Sequence, residues 1–520
     1  MRTAEVAATL CLATDLGMGF PFEQGLHGTL VAMRLADRLG VDRATASQTY
    51  YACLLMYSGC TTDSDVTTET FGGSLTTHVV PAMFGSQREV LTGIVRALPT
   101  PGSSPPARAL QVARRLPKAR RERDPHLAAI CEVAQMLAER LALPPSIHGL
   151  FIHLTERWDG KGPLGRAEAD EIPLALRIVH VARDAALQRM LGGEEYAVRI
   201  VRERAGHGFD PEVAACLAEG APQVLALERE PSAWEETLGC EPDPRLTLDG
   251  EAIDGALRAL GHFADLISPY LSGHSTGVAG LARAAAERSR LDETDAAAIW
   301  RAALVHDLGR VAVHPRIWQK PAVLTPDEWE HVRLHPYQTE RVLSRSDFLS
   351  ALAPTAGAHH ERLDRSGYHR GSAGAELTPS ARLLAAADAY HAMTETRPYR
   401  DALSTEEAAD ELAQDASAGR LDPDAVTAVI EAAGHQAPRL ERPAGLTERE
   451  AEVIAMLARG LQTKQVAGAL GISAKTADHH IQSSYRKIGV STRAGATLFA
   501  MEHGLVAWGE LPIAQREAPS

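Results

Sequence analysis

Aromatic side chains make up only 5% of this 520-residue sequence, and cysteine is rarer still, with six residues. The six (Cys11, Cys53, Cys60, Cys131, Cys216 and Cys240) include no Cys-x-x-Cys pair, and in a reducing compartment they read as small buried hydrophobes rather than redox groups. No stretch approaches the roughly 18 uninterrupted apolar residues that a membrane-spanning helix needs. The short apolar run near the N-terminus is flanked by Glu5 and Asp15, so no membrane partner is expected and the location read from the sequence is cytoplasmic. A receiver-type signalling domain is not evident either, which leaves any signal to enter through the rest of the chain.

Alanine, leucine, arginine and glutamate are abundant and 45% of residues are hydrophobic, a balance that reads as globular and helix-rich. The length exceeds what one core supports and suits three domains. Charge is uneven: the chain carries a formal −14, whereas residues 446–505 hold seven Lys/Arg against five Asp/Glu. An acidic body with a small cationic tail argues against broad nucleic-acid binding.

Histidine supplies the chemistry. Within Ala-Leu-Val-His-Asp-Leu-Gly-Arg (303–310), His306 and Asp307 are adjacent, and His274, His335, the pair His359-His360 and Asp388 accompany them. A lone histidine is usually a surface group or a satisfied core residue, but this set is spaced like a two-metal site. Imidazole and carboxylate suit iron, manganese or zinc, and an adjacent His-Asp can supply a terminal ligand plus a carboxylate that bridges two ions. Two ions roughly 3.5–4 Å apart can activate a bridging water and hold the oxygens of an in-line phosphoryl displacement. Hydrolysis of a phosphate ester is implied.

Ordered blocks from His274 to Arg400 resemble the HD-GYP branch of the HD phosphohydrolase superfamily. His274-Ser275 with Val278 is similar to the first ligand helix, residues 306–310 to His-Asp-Ile-Gly-Lys, and Leu334-His335-Pro336 to the next ligand turn. His359-His360-Glu361 through Gly367-Tyr368-His369 resembles the double-histidine segment that runs into Gly-Tyr-Pro. Ala381 to Tyr390 resembles the final ligand helix, and Arg397-Pro398-Tyr399-Arg400 a basic turn that contacts phosphate. The resemblance implies an all-α, metal-dependent phosphodiesterase acting on cyclic di-GMP. It also implies one divalent ion among His274, His306, Asp307 and Asp388 and another among Asp307, His335, His359 and His360, with iron or manganese favoured and zinc an alternative. Asp307 would be the bridge, and Arg310, Arg397 and Arg400 would neutralise phosphate charge. Three departures stand out. Arg310 replaces a lysine, exchanging a compact ammonium for a planar fork; His369 replaces the proline of Gly-Tyr-Pro; and Tyr270 stands where some members carry a glutamate for a third metal, so two ions are expected.

The chain also repeats itself. Glu156-Arg157-Trp158-Asp159-Gly160-Lys161-Gly162 parallels Glu361 to Gly367, Ala175 to Val179 parallels Ser380 to Leu384, and Leu35 to Leu55 parallels Ala285 to Val305. Carried through the repeat, Gln24 lies opposite His274, Met56-Tyr57 opposite His306-Asp307, Leu154-Thr155 opposite His359-His360, and Arg183 opposite Asp388. No hard-metal site is expected in this first half, and His27, His148, His153 and His180 do not reproduce the intact spacing. It reads as a scaffold or dimerisation unit, or as a pocket that binds a regulatory ligand without turnover.

Near the other end, Thr447 and Glu450 form a capping-box pattern at the start of a helix, a short helix from Thr463 to Leu470 stops at Gly471, and Ser473 caps a third that runs to Ile488. Helix, glycine turn, helix is a helix-turn-helix signal. The block resembles the LuxR-type DNA-binding domain through Leu446-Thr447-x-Arg449-Glu450, Lys464-Gln465-Val466-Ala467, Leu470-Gly471-Ile472-Ser473, Lys475-Thr476 and Tyr485-Arg486-Lys487-Ile488-Gly489-Val490. The resemblance makes the helix after Ser473 the major-groove helix, with Lys475, Thr476, His479 and Gln482 as base or phosphate contacts and Arg486 and Lys487 toward the backbone. Asp478 falls where many relatives have lysine and should repel nearby phosphates.

The fold class expected is therefore all-α: two tandem HD-domain-like helical units plus a C-terminal four-helix LuxR-type helix-turn-helix domain. The boundaries read from the sequence are 1–245 (degenerate unit), 246–433 (HD-GYP-like phosphohydrolase), 434–445 (linker) and 446–510 (DNA-binding domain). Pro99 to Pro106 reads as a flexible loop and Glu241 to Pro244 as the joint between units. The function expected is a DNA-binding transcriptional regulator whose dimetal unit senses, and in one reading hydrolyses, a phosphate-containing nucleotide, cyclic di-GMP foremost. Its alternatives are a catalytically inactive metal-bound sensor and a hydrolase of another phosphoester. Double-stranded promoter DNA and the nucleotide are the expected partners, met by a homodimer whose recognition helices address half-sites about one helical turn apart.

Overall fold

The computed structural model describes residues 1–60, 71, 75–100, 102–226, 232–436, 443–503 and 505. Among them the chain is helical, with isolated bridges but no β-sheet. No helix of these residues is long and apolar enough to cross a membrane. Packing divides the chain into two units. Met1–Ser272, Leu308–Lys320 and Arg341–Ala351 form the first; Gly273–Asp307, Pro321–Glu340 and Leu352–Ser520 form the second. The units interleave along the sequence.

In the first unit α1 (Thr3–Met18) is buried on nearly every side from Thr3 to Asp15, which explains why its sequence shows no polar face. It packs against α2 (Gln24–Leu39), α3 (Arg43–Leu55) and the turn Leu308–Ala312. Next come α4 (Pro105–Arg140) and α5 (Leu174–Gly192), the latter lying on both α2 and α3. The expected loop from Pro99 is shorter than the sequence suggested, because a proline needs no N–H at the first turn of a helix and α4 starts at Pro105. Pro101 lies outside the described residues. Nor is the Glu241 joint a free linker. Buried Glu241 accepts from Tyr51 Oη at 2.7 Å and Arg2 Nε at 3.0 Å, and the Leu248 N–H donates to the Met1 carbonyl at 2.8 Å.

The second unit is built on α6 (His274–Arg288), which packs on α7 (Glu293–Val305), α10 (Pro379–Met393) and α11 (Pro423–Ala432). Two shorter helices, α8 (Pro326–Arg333) and α9 (His335–Leu343), lie between α7 and α10 in sequence. Local signals repeat between the units. Asp42 accepts from the Thr45 N–H to cap α3, and Asp292 accepts from the Asp295 N–H to cap α7, both at 2.8 Å. Left-handed residues, Glu23 (φ 75°) and Gly273 (φ 83°), start α2 and α6 alike.

The tail consists of α12 (Glu448–Ala458), α13 (Thr463–Ala469), α14 (Ala474–Ile488) and α15 (Arg493–Glu502) around Val453, Ile454, Leu457, Val466, Ala477 and Ile481. Thr447 and Glu450 form the capping box, and Ser473 accepts from the Thr476 N–H at 3.1 Å. Residues 437–442 of the expected linker and 504 and 506–510 of the expected domain lie outside the described residues.

Candidate metal centre and nucleic-acid interface

The chain geometry that gathers the donors is simple. His274 is the first residue of α6, His306 and Asp307 leave the end of α7, His335 opens α9, and Asp388 lies within α10. Asp307 is fully buried and its two oxygens face different partners. Oδ2 lies 2.9 Å from His306 Nε2 and 3.4 Å from His274 Nε2; Oδ1 lies 3.3 Å from both His335 Nε2 and His359 Nε2. Asp388 Oδ1 meets His274 Nε2 at 3.1 Å, and its Oδ2 meets His360 Nδ1 at 3.7 Å.

Backbone carbonyls fix the rings. The Nδ1 atoms of His306, His335 and His359 each lie 2.6 Å from the carbonyl three residues earlier, on Ala303, Val332 and Ala356. Donation from Nδ1 turns each Nε2 towards Asp307, the orientation in which a neutral ring can ligate an ion. His274 has a carboxylate instead: its Nδ1 lies 2.8 Å from Glu395 Oε2. Sequence reasoning passed over Glu395. Its signal was a carboxylate one turn after His391 and two turns after Asp388, at the end of the same helical stripe.

Burial pushes the His359 pKa down to about 4 and that of His360 well below the usual imidazole value, so both are neutral at pH 7. Burial opposes charge on His306 too, but Asp307 and Asp388 beside it raise its pKa to about 9. Two buried carboxylates thus face five imidazoles in an enclosed locus. Three groups of donors lie close enough to hold an ion: His274, His306, Asp307 and Asp388; His335, His359 and His360; and His274, His391 and Glu395, the last sharing His274 with the first. Nitrogen and carboxylate donors in this mixture fit iron, manganese or zinc.

The expected phosphate-binding arginines are placed differently from one another. Arg397 donates to Glu395 Oε2 at 2.6 Å. Arg400 is spent on backbone carbonyls, those of Met393, Glu395 and Asp401 at 3.0–3.2 Å and that of Ala392. Arg310 is buried in the first unit with its guanidinium 5.4 Å from the Trp318 ring centroid. His369, where the resemblance expects proline, faces Glu340 at 3.8 Å.

The first unit shows what replaced these donors. Arg183, opposite Asp388 in the repeat, is buried, donates to the Gly25 carbonyl at 2.9 Å and lies 4.5 Å from the Tyr57 ring centroid. Asp15 accepts from the Gly25 N–H at 2.9 Å. A Cβ on Gly25 would stand 3.1 Å from both Arg183 Nη1 and Asp15 Oδ1, so the space is filled. A fixed guanidinium repels a second cation where a carboxylate would attract one. His180 is a core residue, 3.0 Å from the Leu154 carbonyl and against the Phe84 ring.

On the tail, Lys475, Thr476, His479, Gln482 and Arg486 are exposed on α14, four of them at i, i+4, i+7 and i+11 along one face. Asp478 is exposed beside them. Lys487 is engaged within the domain, donating to Glu450 Oε2 at 2.6 Å and to the Gly445 carbonyl at 2.8 Å.

The HD domain family model matches residues 259–425, and that of the bacterial regulatory proteins, luxR family, matches 444–500. A 3'3'-cGAMP-specific phosphodiesterase 3 of Vibrio cholerae is 33% identical over 281 residues, covering 53% of this chain and 60% of that protein. The chain thus spans less than two thirds of that relative. A cyclic di-GMP phosphodiesterase of Pseudomonas aeruginosa is 35% identical over 293 residues, covering 48% of this chain and 68% of the relative. The crystal structure of a cyclic GMP-AMP-specific phosphodiesterase of V. cholerae shares the fold, with a TM-score of 0.58 and 24% identity over 84% of this chain and 98% of that one. Matched over two thirds of such a relative, the chain belongs to the HD-GYP-type HD-domain family and carries a luxR-family regulatory domain.

Proposed function

We propose that the second unit is a metal-dependent phosphodiesterase that opens a cyclic dinucleotide, with cyclic di-GMP the leading substrate and 3'3'-cGAMP the next, and that the luxR-family domain links this unit to promoter DNA. The observation that carries the reading is Asp307, whose two oxygens address two separate sets of imidazole nitrogens. His274, His306, Asp307 and Asp388 would hold one divalent ion and Asp307, His335, His359 and His360 the other. Bound there, the ions supply charge that lowers the pKa of water and offsets that of phosphate. The protein's part is to position. Carbonyls of Ala303, Val332 and Ala356 orient three imidazoles, Glu395 orients His274, and Arg397 is held beside Glu395 by its hydrogen bond to Oε2. One water is consumed: its oxygen joins phosphorus, one P–O ester bond breaks, and the released oxygen takes up a proton to leave a linear dinucleotide.

A second reading, a metal-bound sensor without turnover, is favoured by one observation: Arg400 is committed to backbone carbonyls, whereas turnover needs cations placed on the phosphate. Hydrolysis of both dinucleotides and nucleotide-dependent binding of duplex DNA, measured for wild type and Asp307→Ala, separate the two. Metal-dependent hydrolysis lost in the variant supports the enzyme. Nucleotide-dependent DNA binding with no turnover supports the sensor.

A further inference from the structure

Apolar surface is costly to leave in water, and the segment before His335 leaves a good deal of it there. Trp329 on α8 is 42% exposed, and Leu334, just after α8, is 48% exposed. Trp329 does not stand alone. Its ring meets that of Tyr368 at a centroid distance of 5.9 Å and 72°, and Tyr368 in turn lies over His360 at 4.6 Å and 33°. Arg333, one turn further along α8 on the same face, places its guanidinium 5.8 Å from the Tyr368 ring centroid.

These contacts give the donor cluster an aromatic wall. Among the five histidines, His360 has the most exposed side chain, 17%, and Tyr368 covers it. α8 is rigidly begun by the Thr325 and Glu328 capping box, and its Val332 carbonyl orients His335. The helix that presents Trp329 thus also sets a metal-type donor, which fixes the indole relative to the cluster. An exposed indole edged by tyrosine and guanidinium is a surface on which a nucleobase stacks, while the cation beside it attracts the adjoining phosphate.

Resting on the phosphodiesterase reading above, we propose that Trp329, with Arg333 and Tyr368 beside it, is the platform on which a base of the cyclic dinucleotide stacks, and that Trp329 determines affinity for nucleotide-bearing phosphodiesters. It is a positioning residue and touches none of the reacting atoms.

The test uses the full metal-loaded chain as wild type, Trp329→Ala and Trp329→Phe, with cyclic di-GMP, 3'3'-cGAMP and a small non-nucleotide diester, ethyl 4-nitrophenyl phosphate. Trp329→Ala is expected to raise KM for the hydrolysed dinucleotide by about 5- to 100-fold with kcat within about twofold, Trp329→Phe to recover much of the loss, and turnover of the small diester to stay unchanged. Equal KM in wild type and Trp329→Ala overturns the platform, as does an equal loss on the small diester, which would mark a merely structural role. If wild type hydrolyses neither dinucleotide, the phosphodiesterase reading fails by itself; the platform is then judged by calorimetric binding of cyclic di-GMP, which must weaken in Trp329→Ala. No binding by wild type, or equal binding by both, overturns it.

Discussion

His274 and Glu395 are joined through Nδ1 and Oε2 at 2.8 Å, which makes His274 the one histidine of its group oriented by a carboxylate while His306 relies on a backbone carbonyl. Such a partner raises the basicity of the imidazole and fixes its ring. Glu395→Ala should therefore weaken metal binding about 10- to 100-fold, read by competition with a chelator of known affinity. Unchanged affinity would show that Glu395 serves only its neighbours Arg397 and His391.

Arg183 in the first unit is predicted to be structural. Arg183→Met removes the cation that lies between Tyr57 and the Gly25 carbonyl, leaves that carbonyl without its donor and pushes the Asp15 pKa further up from about 7, at a cost of about 1–3 kcal/mol. The first unfolding transition in urea should move to lower concentration. Adding Asp15→Asn should recover part of the loss.

His180 sets a pH dependence in the same unit. Burial lowers its pKa from 6.5 to about 4. Above pH 6.5 both folded and unfolded forms are neutral, and below it the unfolded form takes up a proton first. Stability should fall as pH drops from 6.5 towards about 4, by about 1.4 kcal/mol per unit, and should not change on this account above 6.5. His180→Gln, which keeps a donor for Leu154, should flatten the profile measured by urea unfolding.

On α14 the neighbours Arg486 and Lys487 should behave differently. Arg486→Ala is expected to weaken duplex binding and lower the salt slope by about 1, and Asp478→Lys to strengthen binding. Lys487→Ala should chiefly destabilise the domain. Against its burial, Lys487, Ser483 and the Thr447 cap hold the Glu450 pKa at about 2, and the variant removes the first of these. Fluorescence anisotropy and thermal melts separate the two effects.

Much of this was legible in the sequence because it is local. The Thr447-Glu450 box, the Ser473 cap and the offset repeat of Leu35 to Leu55 in Ala285 to Val305 are short-range patterns, and the all-helical architecture follows from them. What was not legible depends on distant packing. Leu308 to Val313 is visibly apolar, but nothing in it says that it packs with α1. Prolines misled as well: Pro105 reads as a loop residue yet begins a helix that also tolerates Pro117 and Pro125. Glu395 and Trp329 carry no motif, and only their distances to His274 and Tyr368 give them meaning.

The most direct test of Asp307 as a bridge is the metal content of the purified chain, wild type against Asp307→Ala, after growth with added manganese or iron. If its two oxygens serve both groups, wild type holds two ions per chain and the variant loses both. One ion in wild type, or loss of one alone in the variant, would contradict the bridge.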